Sequence, residues 1–235
     1  MNAILISATD TNAGKTVLTT ALAAYWQTYR SAQSLGIFKP IQTGIGDREL
    51  YSQLFSLDLS LEEITPLHFQ APLAPPVAAE KEGSWVDLKL AWQAFEGLRK
   101  QRSWVLVEAL GGLGSPITYE LTVADLARDW GLPTVLVVPI KLGCLAQIVA
   151  NVALARQAKI NLKGIVLNCI EPTTDREITD LAPIELIQSL TNTLVLGTIP
   201  YLENPQNLTK LAEVASNLEL EILMPIFSNL IASRV

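Results

Sequence analysis

Several ingredients of simple function classes are scarce in this chain. Only two of its 235 residues are cysteines, Cys144 and Cys169, and each stands in an apolar context. Two are too few for a disulfide framework or a metal cage, so both are read as small buried hydrophobes. The only histidine, His68, lies in a proline-rich approach and is given a structural role. Charged residues make up 17% against 49% hydrophobic, a balance that excludes a disordered chain. With a net charge of −6 the chain lacks the positive excess that nonspecific nucleic-acid binding draws on. Its apolar runs are too short and interrupted to span a bilayer, and no basic, apolar and small-residue segments follow one another at the N-terminus. No nucleic-acid or membrane partner is expected, and the expected location is cytoplasmic.

What the chain does contain is alternation. Apolar runs at 4–7, 34–40, 104–110, 134–139, 164–170 and 194–200 end in polar or glycine-rich turns and read as strands. Helical patterns cover 17–29, 86–101, 121–130, 145–159 and 175–190, and helical spacing runs from 208 to 232 with a break at Pro225. The expected fold is α/β: a single domain over 1–235 with a doubly wound, mostly parallel sheet flanked by helices. The stretch 65–79 holds Pro66, Pro72, Pro75 and Pro76 and reads as a surface-crossing loop, either substrate-covering or a plain connection.

In such sheets ligands gather outside the carboxyl ends of the strands. There the first run leads into Thr9-Asp10-Thr11-Asn12-Ala13-Gly14-Lys15-Thr16 and then a helix. Strand, turn and helix N-terminus together form a P-loop, whose N–H groups surround a polyphosphate. Lys15 would neutralise phosphate charge, and the Thr16 hydroxyl would ligate Mg²⁺. The strict glycine-first pattern is not met, because Thr9 occupies its first position. Lys39 and Lys141 also sit beside strand ends. Glu108 interrupts an apolar strand at its carboxyl end, where an unpaired charge is costly without a cation, so it reads as a second metal ligand. Asp47 reads as a third ligand or as a helix N-cap.

Together these segments resemble the dethiobiotin synthetases, P-loop NTPases, over essentially the whole chain. Residues 8–16 look like that family's GTDTxVGKT loop, and Phe38-Lys39-Pro40-Ile41-Gln42-Thr43-Gly44 like its KPVxSG segment. Val105-Leu106-Val107-Glu108 followed by Gly111-Gly112 resembles VLVEGAGG, Lys141-Leu142-Gly143-Cys144 matches unchanged, and Ile199-Pro200-Tyr201-Leu202 resembles IPWL. The resemblance implies an ATP-dependent cyclo-ligase of biotin synthesis that joins 7,8-diaminononanoate and CO₂ into dethiobiotin, yielding ADP and phosphate. It implies Lys39, Lys15 and Thr11 as catalytic residues and Mg²⁺ on Thr16, Asp47 and Glu108. ATP would contact 12–17 (Asn12, Ala13, Gly14, Lys15, Thr16, Val17) and 108–111 (Glu108, Ala109, Leu110, Gly111). The adenine would be read by Asn168 with Cys169, flanked by Pro200, Tyr201 and Leu202 and reached by Gln206.

Thr43 would contact the diamine. The turn Leu142, Gly143, Cys144 opens a helix whose free N–H groups suit the diamine's distant carboxylate, in a pocket completed across a homodimer interface. Ala8, Asn12, Ala109, Leu110 and Gln206 depart from the family pattern, and the loop departures are expected to narrow the phosphate pocket. Rival readings are an amide-forming or cobalamin-pathway ATPase, a relative without catalysis, and a partitioning-type ATPase switch. The last has a lysine where this chain has Asp10.

Overall fold

The structure, a computed structural model, describes residues 1–225. In chain order its elements are β1 (Ala3–Ala8), α1 (Lys15–Tyr29), β2 (Leu35–Phe38), β3 (Ile41–Thr43), α2 (Asp47–Leu54), α3 (Leu61–Ile64), β4 (Leu67–Phe69), α4 (Pro75–Lys81) and α5 (Leu88–Gln101). There follow β5 (Trp104–Glu108), α6 (Val123–Asp129), β6 (Thr134–Pro139), α7 (Cys144–Gln157), β7 (Leu162–Asn168), α8 (Asp175–Leu181), α9 (Ile184–Thr191), β8 (Val195–Ile199), α10 (Leu208–Ser216) and α11 (Leu220–Leu223).

Six strands pair in parallel in the order β2-β5-β1-β6-β7-β8. A sheet covered on both faces needs strands that are apolar throughout, and β1, β5 and β6 are buried at every residue. Alternation along each strand divides the interior in two. Leu5, Val107, Leu136 and Leu167 pack with Phe95 of α5, Ile148 of α7 and Ile187 of α9. Ile6, Leu106, Val137 and Val166 pack on the other face with Leu18 of α1, Tyr51 of α2 and Leu211 of α10. The doubly wound α/β fold follows from this arrangement.

The proline-rich stretch departs from a plain loop. Leu67–Phe69, lying between Pro66 and Pro72, forms β4 and pairs with β3 as a separate two-stranded parallel sheet. Pro75 and Pro76 open α4, where a missing N–H costs no helical hydrogen bond. Pattern 175–190 is two helices, α8 and α9, because Pro183 forms the N-cap of the second. The helical tail is interrupted after Ser216, before Pro225 is reached, and its part beyond 225 lies outside the described residues. Among the described residues no helix is long and apolar enough to cross a membrane.

Candidate active site

β1 delivers the chain to a loop with two left-handed residues, Asn12 at φ 58° and Gly14 at φ 104°. Gly14 is the N-cap of α1 and supplies no side-chain cap, which leaves the helix's first N–H groups for a ligand. The glycine is required twice over. A Cβ there would take up a φ that side chains avoid and would lie 2.1 Å from Asn168 Nδ2. That amide reaches across from the end of β7 and donates to Ala13 O at 2.9 Å. Lys15, 6% exposed, donates to Asp10 O at 3.3 Å, and burial pushes its ammonium below the ordinary lysine pKa.

Beside the loop lies a buried charge cluster. Lys39, delivered by β2, donates to Glu108 Oε1 at 2.7 Å and to Asp47 Oδ2 at 2.5 Å. Burial acts to lower the Lys39 pKa, but attraction to Glu108 and Asp47 overrides it and the net shift is upward. For Asp47 burial acts upward, and Lys39 with the hydroxyl of Thr16 brings the carboxyl below its ordinary value. Thr16 Oγ1 lies 3.0 Å from Asp47 Oδ1 and 3.3 Å from Glu108 Oε1. The other oxygen of Glu108, Oε2, meets Thr19 Oγ1 at 3.1 Å and accepts a hydrogen bond from Tyr51. Asp47 is the first residue of α2, and Gly46 is the N-cap, so the capping reading of Asp47 does not hold.

The loop carrying Asp47 is itself fastened. Glu49 accepts from Gly46 N and Gln42 Nε2, both at 3.0 Å, and from Arg48 Nε at 2.7 Å. Burial would raise its pKa, but these donors, Arg48 first, bring it down to about 2. Gln42 Oε1 accepts from Arg48 N at 2.9 Å, and His68 Nε2 lies 2.9 Å from Gly44 O.

Thr11, Asn12, Gly14, Lys15, Thr16 and Val17 line one cavity of about 870 Å³. Lys39, Thr43, Asp47, Glu108, Leu110 and Gly111 line the same space. A second pocket of about 240 Å³ adjoins it, formed by Asn168, Cys169, Pro200, Tyr201 and Leu202, with Asn12, Gly14 and Val17 common to both.

Six expected contacts fall outside these walls. Ala13 is fully buried and turns its carbonyl to Asn168. Ala109 packs into the core near Pro40 and Ile41. Gln206 stays exposed, and its backbone N–H donates to Asn204 Oδ1 at 3.0 Å. Leu142 and Gly143 are exposed away from the cavity, while Cys144 is buried with its Sγ 3.4 Å from Leu181 O. Ala8 likewise sits in the core without lining the cavity, so neither it nor Ala109 narrows the phosphate space, contrary to expectation.

The structure also recruits residues beyond the sequence motifs. Leu73, Ala74 and Pro75, from the proline-rich stretch, form part of the wall. Thr19 and Tyr51 back Glu108. Helical spacing carries a signal for both: each stands four positions after a site residue, Lys15 on α1 and Asp47 on α2.

A family model described as an AAA domain matches residues 2–209. The chain is 59% identical over 226 residues to the ATP-dependent dethiobiotin synthetase BioD of Gloeothece citriformis, covering 96% of this chain and all of the relative. It is 58% identical to the protein of the same description from Crocosphaera subtropica, over 95% of this chain and 100% of that one. Among experimental structures, the MinC:MinD cell division complex of Aquifex aeolicus superposes with a TM-score of 0.60 at 14% identity, covering 97% of this chain and 96% of that one. At that identity the likeness speaks for the fold alone, whereas the matches near 60% run over almost the whole of this chain and the full length of each relative. On those grounds the chain belongs to the family of ATP-dependent dethiobiotin synthetases.

Proposed function

We propose that the 870 Å³ cavity is where this ligase brings ATP and the carbamate of 7,8-diaminononanoate together. The family's reaction is the ATP-dependent closure of the ureido ring of dethiobiotin from the diamine and CO₂. One amine takes up CO₂ as a carbamate, whose hydroxide cannot leave. Transfer of the γ-phosphoryl group to a carbamate oxygen creates a leaving group and releases ADP. Attack of the second amine on the carbonyl carbon then expels phosphate and closes the ring, with loss of the amine's proton. Both reactants of the first transfer are anions, so catalysis consists largely of holding them in line and neutralising their charge.

The convergence of Lys15, Thr16, Lys39, Asp47 and Glu108 on one cavity carries this reading. Lys15 and Lys39 hold γ-phosphate and carbamate oxygens, and Thr11 and Thr43 supply hydroxyl donors. The N–H groups of 12–17 cradle the β- and γ-phosphates, with Leu110 and Gly111 alongside. Among the described residues no three of His, Cys, Asp or Glu gather as a metal cluster. The donor set nevertheless fits Mg²⁺: its two carboxylates and one hydroxyl all offer hard oxygens, and the Thr16 hydroxyl lies 3.0 Å from an Asp47 carboxylate oxygen and 3.3 Å from one of Glu108. Thr16, Asp47 and Glu108 would hold the ion, which supplies charge neutralisation between the phosphates.

The 240 Å³ pocket takes the adenine against Asn168, Cys169 and 200–202, with Gln206 at its outer approach. Leu142, Gly143 and Cys144 serve the diamine's carboxylate of a partner copy. Their helix opens at Gly143 with no side-chain cap, and Leu142 is 89% exposed. The reading includes a homodimer of single-domain chains working in the cytoplasm. Sedimentation of a monomer at working concentration would remove the shared pocket. The partitioning-ATPase reading loses its signature lysine to Asp10, which lies 3.7 Å from Lys141.

The deciding experiment measures phosphate release from MgATP and bicarbonate with and without 7,8-diaminononanoate, and looks for dethiobiotin by mass. Diamine-dependent phosphate matched by dethiobiotin is expected. Nucleotide binding with neither product would refute the assignment.

A further inference from the structure

Glu108 is fully buried, and its two oxygens do different things. Oε1 is turned to Lys39 Nζ and Thr16 Oγ1, the groups that line the cavity. Oε2 is turned away, to Tyr51 and Thr19. A carboxylate rotates about its last side-chain bond unless something holds it, so the division between the oxygens needs a cause. Thr19 is a divided donor, because its single proton also has Lys15 O within 2.9 Å. Tyr51 is fully buried and directs its hydroxyl to Glu108 Oε2.

The phenol stands one helical turn after Asp47 on α2, while Glu108 ends β5. Its hydrogen bond therefore ties the element carrying one proposed metal ligand to the element carrying another.

We infer that Tyr51 is a positioning residue: its hydroxyl fixes Oε2 of Glu108, so that Oε1 is presented to the cation and the phosphates at the reacting end of the cavity. This rests on the reading of Glu108 as a magnesium ligand. Groups behind a metal-binding side chain orient it, and their removal commonly costs 10- to 100-fold in metal affinity or activity.

The test compares Tyr51→Phe, which keeps the ring and deletes one oxygen, with the full-length parent. Mn²⁺ binding is followed by electron paramagnetic resonance in the presence of a non-hydrolysable ATP analogue, and analogue binding is measured separately in EDTA. The expected result is Mn²⁺ affinity about tenfold weaker, with metal-free analogue binding within about twofold of the parent. A lowered melting temperature with an unchanged Mn²⁺ isotherm would overturn the inference, because a purely structural role predicts that outcome. Glu108→Gln separates the two layers of the argument. If it loses Mn²⁺ while Tyr51→Phe does not, the positioning role alone fails; if it binds Mn²⁺ like the parent, the metal-ligand reading fails and takes the positioning role with it. Thr19→Val probes the same oxygen from its other partner: because Thr19 is a divided donor, Mn²⁺ affinity close to the parent's is expected, and a loss in Thr19→Val as large as that in Tyr51→Phe, or a loss there if Tyr51→Phe does not fold, overturns the assignment to Tyr51.

Discussion

Replacing Lys39 with methionine should destabilise the protein by about 3–5 kcal/mol, the scale for removing one partner of a buried ion pair. Methionine keeps much of the side-chain volume and deletes the charge. At 2.7 Å and an effective dielectric of 20, the Lys39–Glu108 attraction is about 6 kcal/mol before desolvation is set against it. Glu108 has no exposed side-chain surface from which water can replace the lysine, whereas the Asp47 side chain is 33% exposed and partly screened. Loss of the Asp47 contact should therefore cost only about 1 kcal/mol, and most of the effect belongs to the stranded glutamate.

A cycle with Glu108→Gln isolates it. The double variant should recover roughly 2 kcal/mol or more of the single variant's loss, since the glutamine carries no charge to strand. Urea unfolding followed by circular dichroism at neutral pH in EDTA measures all four corners. A Lys39→Met variant within about 1 kcal/mol of the parent, or a coupling below about 0.5 kcal/mol, would refute the reasoning. The same substitution should lower turnover by roughly 10²-fold, the scale of losing one preorganised electrostatic donor.

Two further perturbations probe the loops on either side of the cluster. The pKa of Glu49, depressed to about 2, implies a stabilisation fully present above its ordinary 4.5 and lost as pH falls through about 2. Glu49→Gln should therefore cost about 1 kcal/mol at neutral pH, and the difference should disappear toward pH 2 in pH-dependent urea titrations; a gap that persists in acid contradicts this. Gly14→Ala sets a Cβ against Asn168 at φ 104°, a strain of about 1–3 kcal/mol, and should weaken binding of an ATP analogue by calorimetry. Adding Asn168→Ala removes the clash but also the proposed adenine contact and leaves the strained φ, so stability rather than affinity should return in part, and unchanged affinity in the single variant rules out this account.

The six sheet strands are legible because a parallel sheet buried on both faces demands apolar runs, and those runs end at recognisable turns. β3 and β4 are not, since three-residue strands are too short for a period to declare itself. Pro75 and Pro76 suggest a loop to a reader counting breakers, yet at a helix start they serve as initiators. At the site, Glu108 is conspicuous as a charge inside an apolar strand, and the phosphate loop is conspicuous through its motif. Tyr51 resembles any core aromatic; its spacing from Asp47 places it on the same face of α2, but its contact with Glu108 depends on how α2 sits against β5, which is a tertiary fact.

The strand order also bears on how the chain comes into being. β1 is made first but lies in the middle of the sheet, and both its neighbours, β5 and β6, come later. Roughly 100 residues must follow it before the first neighbour exists, about 5–20 s at ordinary rates of translation. For that interval the apolar segment Ala3–Ala8 leaves the ribosome without its lasting partners, so aggregation during synthesis is most to be feared there.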